Sequence, residues 1–116
     1  MKVTNLGKVP ATPVELEGAE GVVVQRPVAG ADGAPTFSMR VFTVSPGGHT
    51  PFHTHQWEHE NYIIAGRGAL VSESGEEHPV SAGDFCLVMP GEKHCYRNSS
   101  DTERLIFICA VPVDHE

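Results

Sequence analysis

Apolar and polar residues follow one another with a period of two along most of the chain, in short runs that end at glycine, proline, asparagine or serine. That period belongs to strands with one face buried, whereas an amphipathic helix repeats every 3.6 residues. The pattern predicts strands over 22–25, 37–44, 51–55, 59–65, 69–73, 78–80, 85–88, 94–97 and 103–111. Turns are predicted at 46–48, 66–68, 74–75, 82–84, 89–91 and 98–101, where glycine, proline and asparagine supply the required backbone conformations. No helix of useful length is predicted. Many short strands at this spacing predict a sandwich or a barrel, and the pattern alone does not choose between them.

Residues 1–21 break the pattern. Pro10 and Pro13 sit among scattered hydrophobes, which predicts an extended arm ahead of a barrel domain spanning 22–113. Leu6, Val9, Val14 and Leu16 would be covered by a partner subunit if the arm crosses between subunits. The small-residue stretch 29–35 is expected to be a flexible connection.

Composition narrows the function. At 116 residues the chain is one domain, large enough to bury a core without staples. Fifteen acids against 8 bases give a net charge of −7, which disfavours a nucleic-acid or anionic-membrane partner. There is no apolar run long enough to span a bilayer and no signal-peptide core, so a cytoplasmic protein is expected. Cys86, Cys95 and Cys109 are odd in number and lack C-x-x-C spacing, which predicts reduced thiols.

The chemistry is concentrated in the histidines. His53 and His55 lie two apart, so on a strand both rings project from one face. His59 keeps the same parity beyond a bend at Gln56-Trp57, and His94 stands in a second strand-like run. Two neighbouring strands so arranged offer four imidazoles to one divalent transition metal. Imidazole nitrogen suits Fe(II), Ni(II), Zn(II) or Cu(II), whereas Mn(II) is more often bound by oxygen. Glu60, the neighbour of His59, has the opposite parity and points away.

Five residues separate Gly47 from His53, one His53 from His55, three His55 from His59 and six His59 from Gly66. Gly83, Gly91, His94 and Asn98 stand in a second register, G-x5-P-x-G-x2-H-x3-N, with Met89 at the proline position and Pro90 one place late. These two motifs resemble the cupin superfamily signatures. His59 stands where the first signature usually has glutamate. The run 37–48 together with Trp57-Glu58-His59-Glu60 is similar to the small single-domain cupins with a four-histidine manganese site. The resemblance covers roughly residues 36–112. It implies an all-β, double-stranded β-helix, or jelly-roll barrel. It also implies Mn(II) held by His53, His55, His59 and His94, and a homodimer, since small members often pair.

Four neutral imidazoles on an octahedral ion leave two positions for water, dioxygen or substrate, and an anionic, bidentate oxygen ligand fits them best. The leading expectation is a metal-dependent oxidoreductase of dioxygenase type acting on a small organic molecule. The alternatives are a non-catalytic metal and small-molecule binding cupin, and a metal-dependent isomerase or decarboxylase. Tyr96 shares the parity of His94 and is the candidate catalytic residue, as hydrogen-bond donor or general acid. Cys109 is expected to be a small buried hydrophobe, and Trp57 and Tyr62 packing or subunit-contact residues. His49, His78 and His115 are expected in solvent; Arg40 and Arg97 could attract an anionic substrate, although solvated strand arginines are the commoner case.

Overall fold

Strand-forming runs with alternate buried positions can hide their apolar faces only by curling around one another, and the computed structural model, which describes residues 1–116, does this. Nine strands form: β1 Thr12–Pro13, β2 Glu20–Val28, β3 Phe37–His49, β4 His59–Ala65, β5 Arg67–Ser72, β6 Glu77–Ser81, β7 Phe85–Val88, β8 His94–Arg97 and β9 Leu105–Pro112. They hydrogen-bond in the order β6-β5-β8-β3-β9-β4-β7, with β2 also on β3 and β1 on β2. All the pairings are antiparallel. The result is the curled all-β jelly-roll architecture that the sequence predicts. The helical content is three single turns of 3-10 helix, and no helix is long and apolar enough to cross a membrane.

Parity sets the interior. In β9, Leu105, Phe107, Cys109 and Val111 are buried while the residues between them are half-buried. In β4, His59, Asn61 and Ile63 are buried, and Glu60 lies on the outer face. The core gathers Val22, Val44, Ile63, Val80, Leu105 and Phe107 around the ring of Tyr96.

Several boundaries differ from the sequence expectation. The segment 51–55 is not a strand, because Pro51 has no N–H to donate and the ladder shrinks to one bridge between His53 and His94. β2 runs on to Val28 through an irregularity at Gln25–Val28, which accommodates Pro27 where a regular ladder would need its missing N–H. β3 continues through the expected turn at 46–48 to His49, with Gly47 at a φ of 76° absorbing the bend. Gly66 closes the β4–β5 turn at a φ of 80°, and a Cβ there would lie 2.0 Å from the Arg104 carbonyl oxygen. Only glycine fits.

The N-terminal segment lies against its own chain. Thr12 and Pro13 pair with Val24 and Val23, and Gln25 Nε2 donates to the carbonyls of Leu6 and Val9 at 3.0 and 2.9 Å. Val14, expected under a partner subunit, packs on the core of this chain. Leu16 is 60% exposed.

Asn98, the last residue of the second motif, is fully buried. Its Nδ2 donates to the carbonyls of Val44 and Glu103 at 2.9 and 2.8 Å, and its Oδ1 accepts from the Ser100 N–H at 3.0 Å. It therefore ties β3 to the β8–β9 loop. Asn98→Ala strands two carbonyls and an N–H and is expected to cost about 2–4 kcal/mol, measured as a lower denaturant midpoint. A loss below about 0.5 kcal/mol would exclude this bracing role.

Candidate metal centre

His53 and His94 face each other through the backbone. The His53 N–H donates to the His94 carbonyl at 3.1 Å, and the His94 N–H to the His53 carbonyl at 2.9 Å. The Gly91 N–H extends the contact to the His55 carbonyl at 2.7 Å. This pairing carries His53 and His55 alongside β8, and β4 brings His59 from the other side. The rings of His55 and His94 each lie 4.9–5.3 Å, centroid to centroid, from the rings of the other three. His53, His55 and His94 offer ligand atoms that are all within 4.8 Å of one another. His59 Nε2 stands 3.0 Å from His94 Nε2.

The outer ring nitrogens are tied back. His55 Nδ1 lies 2.7 Å from the Trp57 carbonyl, His94 Nδ1 2.8 Å from the Glu92 carbonyl and His59 Nδ1 2.8 Å from Asn61 Oδ1. Asn61 is itself oriented by its Nδ2, which donates to the Ile108 carbonyl at 3.4 Å. Each acceptor calls for a proton on Nδ1 and leaves the Nε2 lone pair facing inward, the arrangement of metal-binding imidazoles. Two neutral rings so assigned would set the Nε2 lone pairs of His59 and His94 against each other at 3.0 Å. A cation between them removes that repulsion, so the donor set fits a metal.

Electrostatics agree. Desolvation at the cavity wall is the main cause that lowers the pKa of all four rings. His53 and His59 are brought down to about 4, with the neighbouring imidazoles and Arg40 adding to the effect. At neutral pH the rings are uncharged, as metal binding requires.

The histidines open into a cavity of about 440 Å³. Val22, Val24, Phe42 and Phe107 form apolar walls, with Arg40, Asn61, Tyr96 and Cys109 among them. Tyr96 faces inward as its parity predicts, with its ring 4.2 Å from that of Phe107. Its hydroxyl is buried beside the Cys86 thiol, in a geometry that makes no good hydrogen bond to it, and burial raises its pKa, so it is a protonated donor. Cys109 is buried as expected and also lines the cavity. All three cysteines are free thiols.

One expectation needs correction, at Arg40. His115 is exposed as expected, and the last 3-10 turn also folds back so that its ring stacks on Trp57 at 4.0 Å and borders the cavity. Trp57 in turn stacks on His55 at 4.3 Å, so its indole backs a candidate ligand. Arg40 is also a cavity residue, half-buried rather than solvated. Tyr62 stays on the outer face beside Phe85, and His49 pairs with Glu20 at 3.5 Å. Sequence reasoning missed Asn61 as the residue that orients His59. The signal was present in the shared parity of His59 and Asn61.

Comparison with known proteins places this geometry. The polyketide cyclase RemF from Streptomyces resistomycificus has a structure that superposes with a TM-score of 0.92 at 32% identity, over 97% of this chain and 80% of that one. The oxalate-binding protein of Thermotoga maritima is 36% identical over 59 residues, 50% of this chain and 48% of that protein. The L-ectoine synthase of Mycolicibacterium gilvum is 33% identical over 85 residues, 72% of this chain and 64% of the synthase. The chain thus spans between about half and two thirds of the length of these two curated relatives. The cupin domain family matches residues 40–111, more than half of the chain and all of the strands that frame the histidine cavity from β4 onward, and the chain belongs to that family.

Proposed function

We propose that this cupin is a metal-dependent enzyme acting on a small, oxygen-rich organic molecule, with one divalent transition metal held by His53, His55, His59 and His94. The observation that carries the reading is the convergence of four imidazoles on the wall of one cavity, with three of them, His55, His59 and His94, held by acceptors on Nδ1 that leave Nε2 free. The family resemblance favours Mn(II), and the imidazole donors accommodate Fe(II), Ni(II), Zn(II) or Cu(II). Such an ion would polarise a carbonyl oxygen and offset the negative charge that builds on it.

The reaction favoured is ring closure or isomerisation of a polycarbonyl compound without an oxidant, supported by the likeness to a polyketide cyclase over 97% of the chain. Val22, Val24, Phe42 and Phe107 would exclude bulk water, and Tyr96 would donate its hydroxyl proton in a hydrogen bond to a substrate oxygen. Binding without turnover is the second reading, supported by the partial likeness to an oxalate-binding protein. Dioxygenase-type oxidation, the leading expectation from sequence, requires oxygen uptake. A linear 3,5-dioxo acid incubated under nitrogen with metal-loaded protein is expected to give a cyclised product with loss of water, detected by mass spectrometry. Turnover seen only with consumption of dioxygen would assign the oxygenase instead, and binding with no product in either atmosphere would assign a binding module.

The ligand set has its own test. His53→Ala, His55→Ala, His59→Ala and His94→Ala should each lose most of the metal measured by elemental analysis, whereas Glu60→Ala and His78→Ala keep it. Full occupancy in His59→Ala with loss in Glu60→Ala would replace His59 by Glu60. Metal should also raise the unfolding temperature, because it binds the folded state. In the metal-free protein, His53 and His59 bind protons near pH 4 when folded and near 6.5 when unfolded. The unfolded chain holds more protons between those values, so stability falls as pH drops from 6.5 toward 4. A flat profile over that window would contradict the lowered pKa of these two rings.

The assembly proposed is a homodimer through the outer face of β3, β9, β4 and β7. Phe37, Met39, Tyr62, Ile64, Phe85 and Leu87 are exposed on that face, Phe85 to 81%, with Glu60 among them. Light scattering is expected to give twice the 12.5 kDa monomer mass, and Phe85→Glu with Ile64→Glu to give the monomer. A native chain that stays monomeric at high micromolar concentration would rule the dimer out.

A further inference from the structure

Buried polar atoms in folded proteins nearly always have a partner, so those without one call for an explanation. Of all the buried side-chain nitrogen and oxygen atoms in this chain, two have none: Arg40 Nε and the Tyr96 hydroxyl. Both residues line the histidine cavity.

Arg40 is a cation kept from its usual partners. Its Nη2 donates to Cys109 Sγ at 3.2 Å, a weak acceptor, and its Cζ lies 4.9 Å from the centroid of the Phe42 ring. No carboxylate lies within ion-pair distance of it; Glu15, Glu116 and a second, exposed arginine, Arg26, also line the cavity, and the Glu116 carboxylate feels the charge of both arginines. The Glu116 carboxylate accepts instead from the Gly30 N–H at 3.0 and 3.1 Å. By contrast Arg97 and Lys2, at the surface, meet Glu77 and Asp32 at 2.6 and 2.7 Å. Holding a partly desolvated guanidinium without an anion costs stability, and the fork of Arg matches a carboxylate or an enolate pair of oxygens.

The register points it at the histidines. Arg40 on β3 pairs with Cys109 on β9, and Cys109 pairs with Asn61 on β4, the residue that orients His59. Two strand spacings, about 10 Å at the backbone, separate Arg40 from Asn61. A cavity of about 440 Å³ lies within the range of sites for small organic ligands and far exceeds the needs of a two-carbon acid.

We propose that Arg40 is the anion-recognition residue of the cavity, gripping the carboxylate or enolate of an acidic organic ligand with a ring-sized apolar body, while the Tyr96 hydroxyl donates to a second oxygen of that ligand. This deepens the proposed function by naming the substrate class. The arginine contact does not itself require a metal.

The probe is 1-hydroxy-2-naphthoate, an aromatic acid with a second oxygen beside the carboxylate, titrated by its fluorescence into protein with metal and into protein stripped by chelator. Both forms should bind it, the metallated one more tightly. Arg40→Gln should weaken binding about tenfold or more in both forms, and Arg40→Lys should recover part of the loss. Tyr96→Phe should weaken it a few-fold. The methyl ester should bind wild type and Arg40→Gln alike. Because Arg40 has no carboxylate partner in the free protein and its one hydrogen bond is to a weak thiol acceptor, Arg40→Gln should keep or raise the unfolding temperature, which separates lost recognition from lost folding. Equal affinity of the acid for wild type and Arg40→Gln, or no preference of wild type for the acid over the ester, would overturn the assignment. Arg40-dependent binding in a protein that takes up no metal would uphold it while removing the metal-dependent function.

Discussion

Two backbone hydrogen bonds between His53 and His94, 3.1 and 2.9 Å long, are the contact on which the site depends. They join segments far apart in sequence and set the register of the whole 50–55 stretch beside β8. A slip of one residue would turn His53 and His55 away from the cavity and expose their alternating neighbours to it. One bridge suffices because Thr50 and Gly91 hold the stretch at its two ends, through the Tyr96 and His55 carbonyls at 2.9 and 2.7 Å. Pro51, unable to donate, prevents a longer ladder, and the histidines sit on a short, clamped connection instead of a strand.

The interior polar groups fall into two kinds. Asn98 and Asn61 have their hydrogen bonds made, and both act on other residues, Asn98 by tying β3 to the β8–β9 loop and Asn61 by holding the ring of His59. Arg40 and Tyr96 each have a polar atom without a partner, and both residues line the cavity. Satisfied groups brace the fold, while unsatisfied ones are a cost that selection removes unless a ligand gives them a partner. The stack of His115 on Trp57 on His55 backs one side of the cavity with aromatic area.

Shared architecture leaves the reaction open. The relatives include a polyketide cyclase, an ectoine synthase and an oxalate-binding protein, which this chain matches wholly or in part. What differs among such proteins is the wall of the cavity. Here that wall combines four neutral imidazoles at the candidate metal site, the ring of His115, two guanidiniums, of Arg26 and Arg40, without a carboxylate in ion-pair reach, and one protonated phenol with apolar side chains, in a chain whose overall charge is −7. Positive charge is therefore gathered at the cavity, where an acidic ligand meets it.

Much of this was legible in the sequence because strand parity is a local property. The alternation in 59–65 and 105–111 already separated His59, Asn61 and Ile63 from Glu60, and Leu105, Phe107 and Cys109 from their neighbours. The histidine and glycine spacing carried the family resemblance and with it the barrel. Parity says which face a residue is on, and it cannot say what stands opposite. That His115 returns to stack on Trp57, that Cys109 rather than a carboxylate meets Arg40, and that Val14 packs on its own core were decided by strand order and by the path of the termini. Those contacts join residues distant in the chain, and only the closed tertiary structure brings them within reach.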